Sequence, residues 1–334
     1  MSGIISPKWA NLDSDRREAF QRSITVANAG TTLIQNYVNK IIQQLTQREF
    51  GALGTLSRRP GQGSQAIINR RSGSAMTSAS VWIADTATVS ESSGAYTQET
   101  FTYQTLVTRG KVTRKMRARG RSYVDILAEE MTWKLDDFNN KLESALFLGD
   151  AGALATQIDG AFTLIGAVTS QVVANTSLAA GDSLTLAKLD ETIDRVKGGG
   201  SRADLVIYAS YSGARKLNAA LSSRQRFDDM VEIAAGFRVR SYDGIPIVVS
   251  TGITDDMVWS GTAITAYTGA ASAVATTALV VMNKRYSWME ELTPTTMMPL
   301  ARDDSQFEQF DIFWDGALVY GNTLGGAILG GIAV

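Results

Sequence analysis

Basic residues alternate along the segment from Arg109 to Arg121, and this pattern constrains the fold more than any other feature. The intervening positions are mostly small or apolar. Because successive side chains of a strand point to opposite faces, an extended segment would carry a cationic stripe on one face. No Asp or Glu lies between Glu99 and Asp125, so the stripe needs partners from elsewhere. Its members are Arg109, Lys111, Lys115, Arg117, Arg119 and Arg121.

The overall charge argues against a free-standing nucleic-acid-binding protein. The chain has 334 residues and a formal net charge of −1, whereas such proteins are usually basic. Its length predicts about two domains, or one elaborated domain. Two interpretations of the stripe stay open: a solvated face, or a contact with carboxylates or phosphates outside the chain.

The chain has no Cys and no His. Disulfides, thiolate nucleophiles and Cys-based zinc sites are therefore excluded, and the commonest general base and metal ligand is missing. Neighbouring carboxylates in a strand or helix point apart, so no single acidic pair forms a catalytic or metal site. The sequence predicts no catalytic residue, metal or cofactor, although a hydrolase using these pairs remains an alternative. The pairs are Asp136–Asp137, Asp228–Asp229, Asp255–Asp256, Glu290–Glu291 and Asp303–Asp304.

The first third of the chain has no obvious core of its own. Apolar residues at helical spacing predict a helix over Asn11–Phe50, ended by Gly51 and Gly54. The Gly-, Ser- and Thr-rich stretch that follows contains strand candidates at Ala66–Ile68 and Phe101–Val107. A two-stranded flap is marginal alone, so it would have to lie on something else. A disordered loop is the alternative.

The strongest helix prediction covers Ser122–Leu148. Apolar residues recur there every three or four positions. Ser122 with Asp125 suits a capping arrangement, and Gly149 suits the residue after the helix. At 1.5 Å per residue the helix would be about 35–40 Å long, which suits a spine for the domain.

The remaining chain alternates helix and strand patterns, which predicts an α+β protein with an α/β segment. The tail Ala317–Val334 predicts a terminal strand packed on protein; it is short for a membrane anchor, since a spanning helix needs about 20 apolar residues. The scattered tryptophans, Trp133, Trp259, Trp288 and Trp314, predict core packing. The helices are expected at 186–196 and 210–221, and the strands at 204–208, 244–250, 278–282 and 310–314.

The order of these parts resembles the major capsid proteins of tailed double-stranded-DNA bacteriophages, which have the Hong Kong 97-like fold. The most recognisable segments are Leu146–Asp150 (LFLGD) after the long helix and Gly244–Pro246 (GIP) before a strand. The resemblance implies an N-terminal arm at 1–56, an extended E-loop hairpin at 57–108, a P-domain at 109–159 and 283–316 with its spine helix at 122–148, and an A-domain at 160–282 and 317–334.

The resemblance also implies a function and partners. It implies self-assembly as hexamers and pentamers into an icosahedral shell around phage DNA, in the virion and assembled in the host cytoplasm, without a membrane. Portal, scaffolding or decoration proteins would be further partners. Some members cross-link a loop lysine, but no lysine lies between Lys40 and Lys111. An encapsulin-type nanocompartment shell is the alternative within the fold, and a surface or fibre protein is a third interpretation.

On this interpretation the basic stripe is expected to contact carboxylates of adjacent subunits, because a shell that encloses DNA should not bind it tightly. A stripe that faces the packaged DNA is the competing hypothesis. The candidate acidic partners are Asp13, Asp15 and Glu18 of an arm, or Glu91 and Glu99 of a flap.

Overall fold

A computed structural model describes most of the chain after residue 49. The predicted arm helix and the acidic residues Asp13, Asp15, Glu18 and Glu91 lie outside the described residues, as does Arg121. The described ranges are 50–72, 82, 85–86, 95–120, 125–197, 202–222, 229–234, 237–260, 263–266, 275–300 and 306–334.

Helices and strands are mixed along the described chain, as the α+β prediction requires. Two short 3-10 helices at Thr169–Gln171 and Arg202–Asp204 connect other elements. The α-helices are α1 (Gly51–Thr55), α2 (Arg114–Gly120), α3 (Ile126–Leu148), α4 (Ala161–Gly166), α5 (Leu186–Arg195) and α6 (Tyr211–Ser222). The strands are β1 (Ser57–Pro60), β2 (Gln65–Ser72), β3 (Ala95–Thr102), β4 (Gln104–Thr113), β5 (Val172–Ala174), β6 (Leu205–Ala209), β7 (Asp229–Ala234), β8 (Phe237–Tyr242), β9 (Ile245–Val249), β10 (Val258–Ser260), β11 (Ala263–Ala266), β12 (Thr276–Asn283), β13 (Ser287–Pro299), β14 (Phe307–Tyr320) and β15 (Gly326–Ala333).

A four-stranded sheet in the order β1-β13-β14-β4 packs against α3. The predicted alternation of Phe310, Ile312 and Trp314 is confirmed: all three are buried in one core with Phe138 and Leu142 of α3. Strand β4 runs antiparallel to β14, with Gln104 opposite Gly316 and Thr113 opposite Phe307. One face of this sheet packs against α3, and the other face points outward.

Helix α3 confirms the predicted long helix with a shifted start. Asp125 is its N-cap, and the carboxylate accepts hydrogen bonds from the backbone N–H of Leu127 at 3.2 Å and of Ala128 at 3.5 Å. The predicted capping residue Ser122 lies outside the described residues. Gly149 follows the helix with φ −62°, so it is not a left-handed cap. A Cβ there would lie 2.2 Å from the Ile158 carbonyl oxygen, so close chain packing requires glycine.

The second large sheet has seven strands in the order β5-β15-β12-β6-β9-β8-β7. Its interior strand β12 is buried at every position: Ala278 and Val280 pack into the core shared with α3, whereas Leu279 and Val281 pack into a second core with α5 and α6. Burial on both faces explains why β12 reads as a continuous apolar run. The predicted helices and strands of this segment are confirmed within a few residues.

The prediction of a single strand across the basic segment was wrong beyond Thr113, where α2 begins. Strand β14 starts at Phe307, opposite Thr113, so later residues have no strand to pair with. Arg, Lys, Met and Ala are good helix formers, and they continue the chain as a helix. The predicted end of the arm helix at Gly51 is not tested, because residues 1–49 lie outside the described residues; a separate short helix, α1, begins at Gly51.

The C-terminal segment Ala317–Val334 packs within the fold, as predicted. Ala317–Tyr320 completes β14, and β15 lies between β5 and β12 with almost every residue buried. Among the helices of the described residues, none is long and apolar enough to cross a bilayer. Trp259 and Trp314 are buried as expected, but Trp133 is exposed on α3, which contradicts the core prediction for that residue.

Candidate assembly surfaces

Arg109 forms a bidentate ion pair within its own sheet. It lies directly opposite Asp311 on β14, and both guanidinium–carboxylate contacts measure 2.7 Å. Hydrogen bonds from Arg109 hold the pKa of Asp311 below its ordinary value. The sequence showed no acidic residue near Arg109 because this partner is about 200 positions away in the chain.

Two further cations of the stripe also contact β14. Lys111 places its Nζ 3.6 Å from the centroid of the Phe307 ring, which is a cation–π geometry. Arg117, on α2, pairs with Glu308. Arg109 and Arg117 thus have acidic partners in the same chain, and a contact of the stripe with carboxylates of adjacent subunits stays a prediction.

Lys115 and Arg119 differ from these residues. Both are exposed on α2, and neither forms an ion pair with any residue that the structure describes. They line a shallow depression of about 390 Å³ whose other walls are Thr113, Met116 and Ile126. Met116 is 55% exposed there. We call these five residues the basic depression; it presents two cations around an apolar floor.

Strands β2 and β3 form a separate two-stranded hairpin. Arg70 attaches this hairpin to the body: its Nε donates to the carbonyl oxygen of Gly321 at 3.0 Å, and its guanidinium also donates to that of Tyr320. Arg70 also pairs with Glu99 on β3. Within the described chain the partner of Glu99 is Arg70, and a contact of Glu99 with the basic stripe of an adjacent subunit stays a prediction.

The other face of the hairpin is exposed and partly apolar. Ile67 is 57% exposed and Tyr96 is 73% exposed. Trp82, farther along the loop between the two strands, is fully exposed. Large apolar side chains in contact with water on an extended ribbon are typical of a surface that another chain covers.

A buried carboxylate fixes the point where the N-terminal segment meets the body. The Glu143 side chain is fully buried on α3 and accepts hydrogen bonds from the backbone N–H of Ala52 at 2.7 Å and of Leu53 at 2.9 Å. Its Oε1 also accepts from Ser250 Oγ at 2.6 Å. Burial raises the pKa of Glu143, and these hydrogen bonds oppose that rise.

Sequence reasoning missed Glu143. Its signal was a carboxylate inside the otherwise largely apolar run 142–148 (LESALFL). Charged residues are almost never fully buried unless they are paired, so the position predicted a buried partner. The partners could not be read from the sequence, because they lie about 90 and 107 positions away.

Among the adjacent acidic residues that could have served catalysis, Glu290 and Glu291 have structural contacts. Glu290 accepts hydrogen bonds from the Tyr103 hydroxyl and Trp288 Nε1, and Glu291 accepts one from Trp314 Nε1 at 2.9 Å. Within the described ranges, no group of three or more Asp, Glu, His or Cys side chains is arranged to hold a metal ion.

The sequence model of SU10 major capsid proteins matches residues 77–333, which is most of the chain. The chain belongs to the SU10 major capsid protein family. This is a family of structural proteins, and membership makes the chain a major capsid protein of the virion. No curated protein sequence matches the chain.

Solved structures similar to this major capsid protein share its fold at low sequence identity. The capsid of a native GTA particle is 16% identical with a TM-score of 0.67, covering 92% of this chain and 98% of that one. The capsid protein of cyanophage A-1(L) is 13% identical with a TM-score of 0.66, covering 91% and 98%. The SrpI encapsulin of Synechococcus elongatus is 12% identical with a TM-score of 0.63, covering 92% and 96%.

These similarities confirm the predicted fold class. The major capsid protein has the Hong Kong 97-like fold, which phage capsids and the SrpI encapsulin share. At these identities the structural likeness shows the fold alone, whereas the family match is to major capsid proteins.

Proposed function

We propose that this major capsid protein assembles as hexamers and pentamers into an icosahedral shell that encloses phage double-stranded DNA. The observation that carries the proposal is the β2–β3 hairpin. Among the described strands it pairs with no third strand, yet it exposes Ile67 and Tyr96. One face of the hairpin packs on its own subunit through Ala66 and Phe101, and contacts with other subunits would cover the exposed face.

We assign the family's parts to the observed elements. The β2–β3 hairpin and the residues between its strands form the E-loop, and residues 1–56 form the N-terminal arm. The four-stranded sheet with α3 as spine helix forms the P-domain, and the seven-stranded sheet forms the A-domain. The sheet pairing supports moving β1 and β4 from the predicted E-loop to the P-domain, because both pair with P-domain strands.

The charge distribution is consistent with a container for DNA. The net charge is −1, and two of the basic side chains are neutralised by β14. Each Lys or Arg on a phosphate strengthens DNA binding and makes it more salt-dependent. We therefore propose that the packaged DNA lies next to the shell without sequence-specific binding. We also propose that assembly occurs in the host cytoplasm with portal, scaffolding or decoration proteins.

Electron cryomicroscopy of the purified protein tests this proposal. We expect closed polyhedral particles with five-fold and six-fold capsomers. Soluble monomers under every assembly condition would contradict it. An encapsulin-type shell is the second candidate, favoured by the similarity to the SrpI structure. Virions that contain this chain around double-stranded DNA support the capsid, whereas particles filled with a single cargo protein support the encapsulin.

A further inference from the structure

The basic depression has the chemistry of a binding site for an acidic, aromatic segment. Lys115 and Arg119 lie at its rim, both exposed and without ion pairs among the described residues. Met116 supplies an exposed apolar surface between them. A Trp ring placed on such a site would gain apolar contact and cation–π attraction together.

The loop at the end of the hairpin has the complementary composition. Between Arg71 and Arg109 the chain carries Asp85, Glu91 and Glu99 and no Lys or Arg. Trp82 is fully exposed, and Asp85, three residues later, is also exposed. Trp residues are enriched among the few side chains that dominate the binding energy of an interface, so Trp82 with Asp85 suits an anchor.

The strands of the hairpin run away from the depression of their own subunit. At the base of the hairpin, Gln104 lies opposite Gly316 of β14. Farther out along the hairpin, Arg70 reaches Tyr320 and Gly321, so the hairpin runs toward the C-terminal end of β14.

The basic depression lies at the opposite end of β14. Helix α2 follows Thr113, which pairs with Phe307 at the first residue of that strand. The nine residue steps from Phe307 to Gly316 separate the hairpin base from the depression by about 30 Å at 3.3 Å per step. A second copy is therefore the natural source of an occupant.

We propose that Trp82 and Asp85 of one subunit bind the basic depression of the next subunit in a capsomer. The indole packs on Met116 between Lys115 and Arg119, and the Asp85 carboxylate pairs with one of these cations. Such a contact is heterologous, because two different surfaces meet, and repetition of a heterologous contact closes a ring when the rotation fits. The inference rests on the proposed function, since it requires assembled subunits.

Cysteine cross-linking tests this contact directly, because the native chain has no Cys. The double variant Trp82→Cys with Met116→Cys is assembled into particles and oxidised, and its products are separated on a denaturing gel. We expect a ladder of covalently linked oligomers up to a capsomer ring. The control Trp82→Cys with Leu154→Cys places the second thiol at an equally exposed site beyond the far end of α3 and should give no ladder.

Particles of the double variant that form normally but give no ladder would overturn the proposal. If the double variant forms no particles, charge exchange decides: Asp85→Lys should lower particle yield at least tenfold, and adding Lys115→Glu with Arg119→Glu should restore it. Failure of that restoration would also overturn the contact. If the unmodified protein forms no particles at all, the proposed function fails instead.

Discussion

Glu143 and Ser250 join two parts of the fold that are remote in sequence: Ser250 Oγ donates to Glu143 Oε1 at 2.6 Å inside the protein. The same carboxylate accepts the backbone N–H groups of Ala52 and Leu53 in α1. Three donors therefore satisfy one buried carboxyl group, and this single side chain joins the long helix, the end of β9 and the start of the described N-terminal segment. Its loss should loosen that entry point.

Glu143→Ala should lower the free energy of unfolding of the subunit by about 1–3 kcal/mol or more, because buried donors are left without an acceptor. Urea unfolding of the soluble subunit measures this change. Glu129→Ala is the matched control, since Glu129 is exposed on the same helix and should change stability by less than about 0.5 kcal/mol. Equal effects of the two substitutions would contradict the role of Glu143.

The pH dependence of this site has a definite sign. Burial raises the folded-state pKa of Glu143 above that of the unfolded chain, so folding favours its protonated form. Relative to Glu143→Gln, the wild-type protein should be most stable below the ordinary Glu pKa and should lose stability as pH rises through the raised pKa, with a slope of at most about 1.4 kcal/mol per pH unit. Urea unfolding of both proteins between pH 4 and 8, with pH values set at about one-unit steps, should show this. A wild-type protein that becomes more stable relative to Glu143→Gln as pH rises would contradict this prediction.

The Arg109–Asp311 pair should stabilise the sheet only modestly. Its geometry is bidentate, but the Arg109 side chain is 59% exposed, so screening by water reduces its effect. A double-mutant cycle of Arg109→Ala and Asp311→Asn should give a coupling of about 0.5–1 kcal/mol that falls at high salt. The cycle of Lys115→Ala with Asp311→Asn should give no coupling. Coupling of equal size in both cycles would show a general charge effect.

Gly110 should not tolerate a larger side chain. The Phe310 ring covers it, and a Cβ there would lie 2.1 Å from Phe310 Cζ. Gly110→Ala should therefore destabilise the subunit by about 1–3 kcal/mol through overpacking. Gly54→Ala provides the control, since nothing lies within 4 Å of the added carbon and alanine favours the helix. Thermal unfolding should separate the two variants; equal melting temperatures would contradict the close packing.

Arg70 should control how firmly the hairpin is held on its own subunit. Arg70→Gln removes the pairing with Glu99 and the contacts with Tyr320 and Gly321. Hydrogen bonds to charged groups contribute about 1.5–3 kcal/mol, so hydrogen exchange in β2 and β3 of the free subunit should accelerate about 10–100-fold. Exchange in β12 should not change. The neighbouring Arg71→Gln should have little effect, because Arg71 is exposed.

Local sequence patterns were sufficient where burial alone determines structure. The alternation at Phe310, Ile312 and Trp314 predicted a half-buried strand, and the apolar run at 278–282 predicted a buried one; both are confirmed. The apolar spacing of 122–148 likewise predicted α3. In each case the spacing of the apolar residues indicates which face packs against the core, so the element can be predicted without knowing its distant contacts.

The sequence was insufficient where distant partners decide the outcome. Strand β4 ends at Thr113 because β14 begins opposite it, and no local signal marks that limit. The ion partners Asp311 and Glu308 lie about 200 residues from the stripe. The basic depression around Met116 could not be predicted, because the sequence does not show that Arg109 and Arg117 have partners while Lys115 and Arg119 have no ion pair among the described residues.

Sedimentation velocity of the purified chain over a range of concentrations tests whether subunits cover one another's exposed surfaces. Monomers or capsomers should give way to closed particles far larger than the 35.9 kDa chain as concentration rises. A single compact monomer that persists at the highest concentration, with its Trp82 loop protected in the isolated subunit, would contradict it.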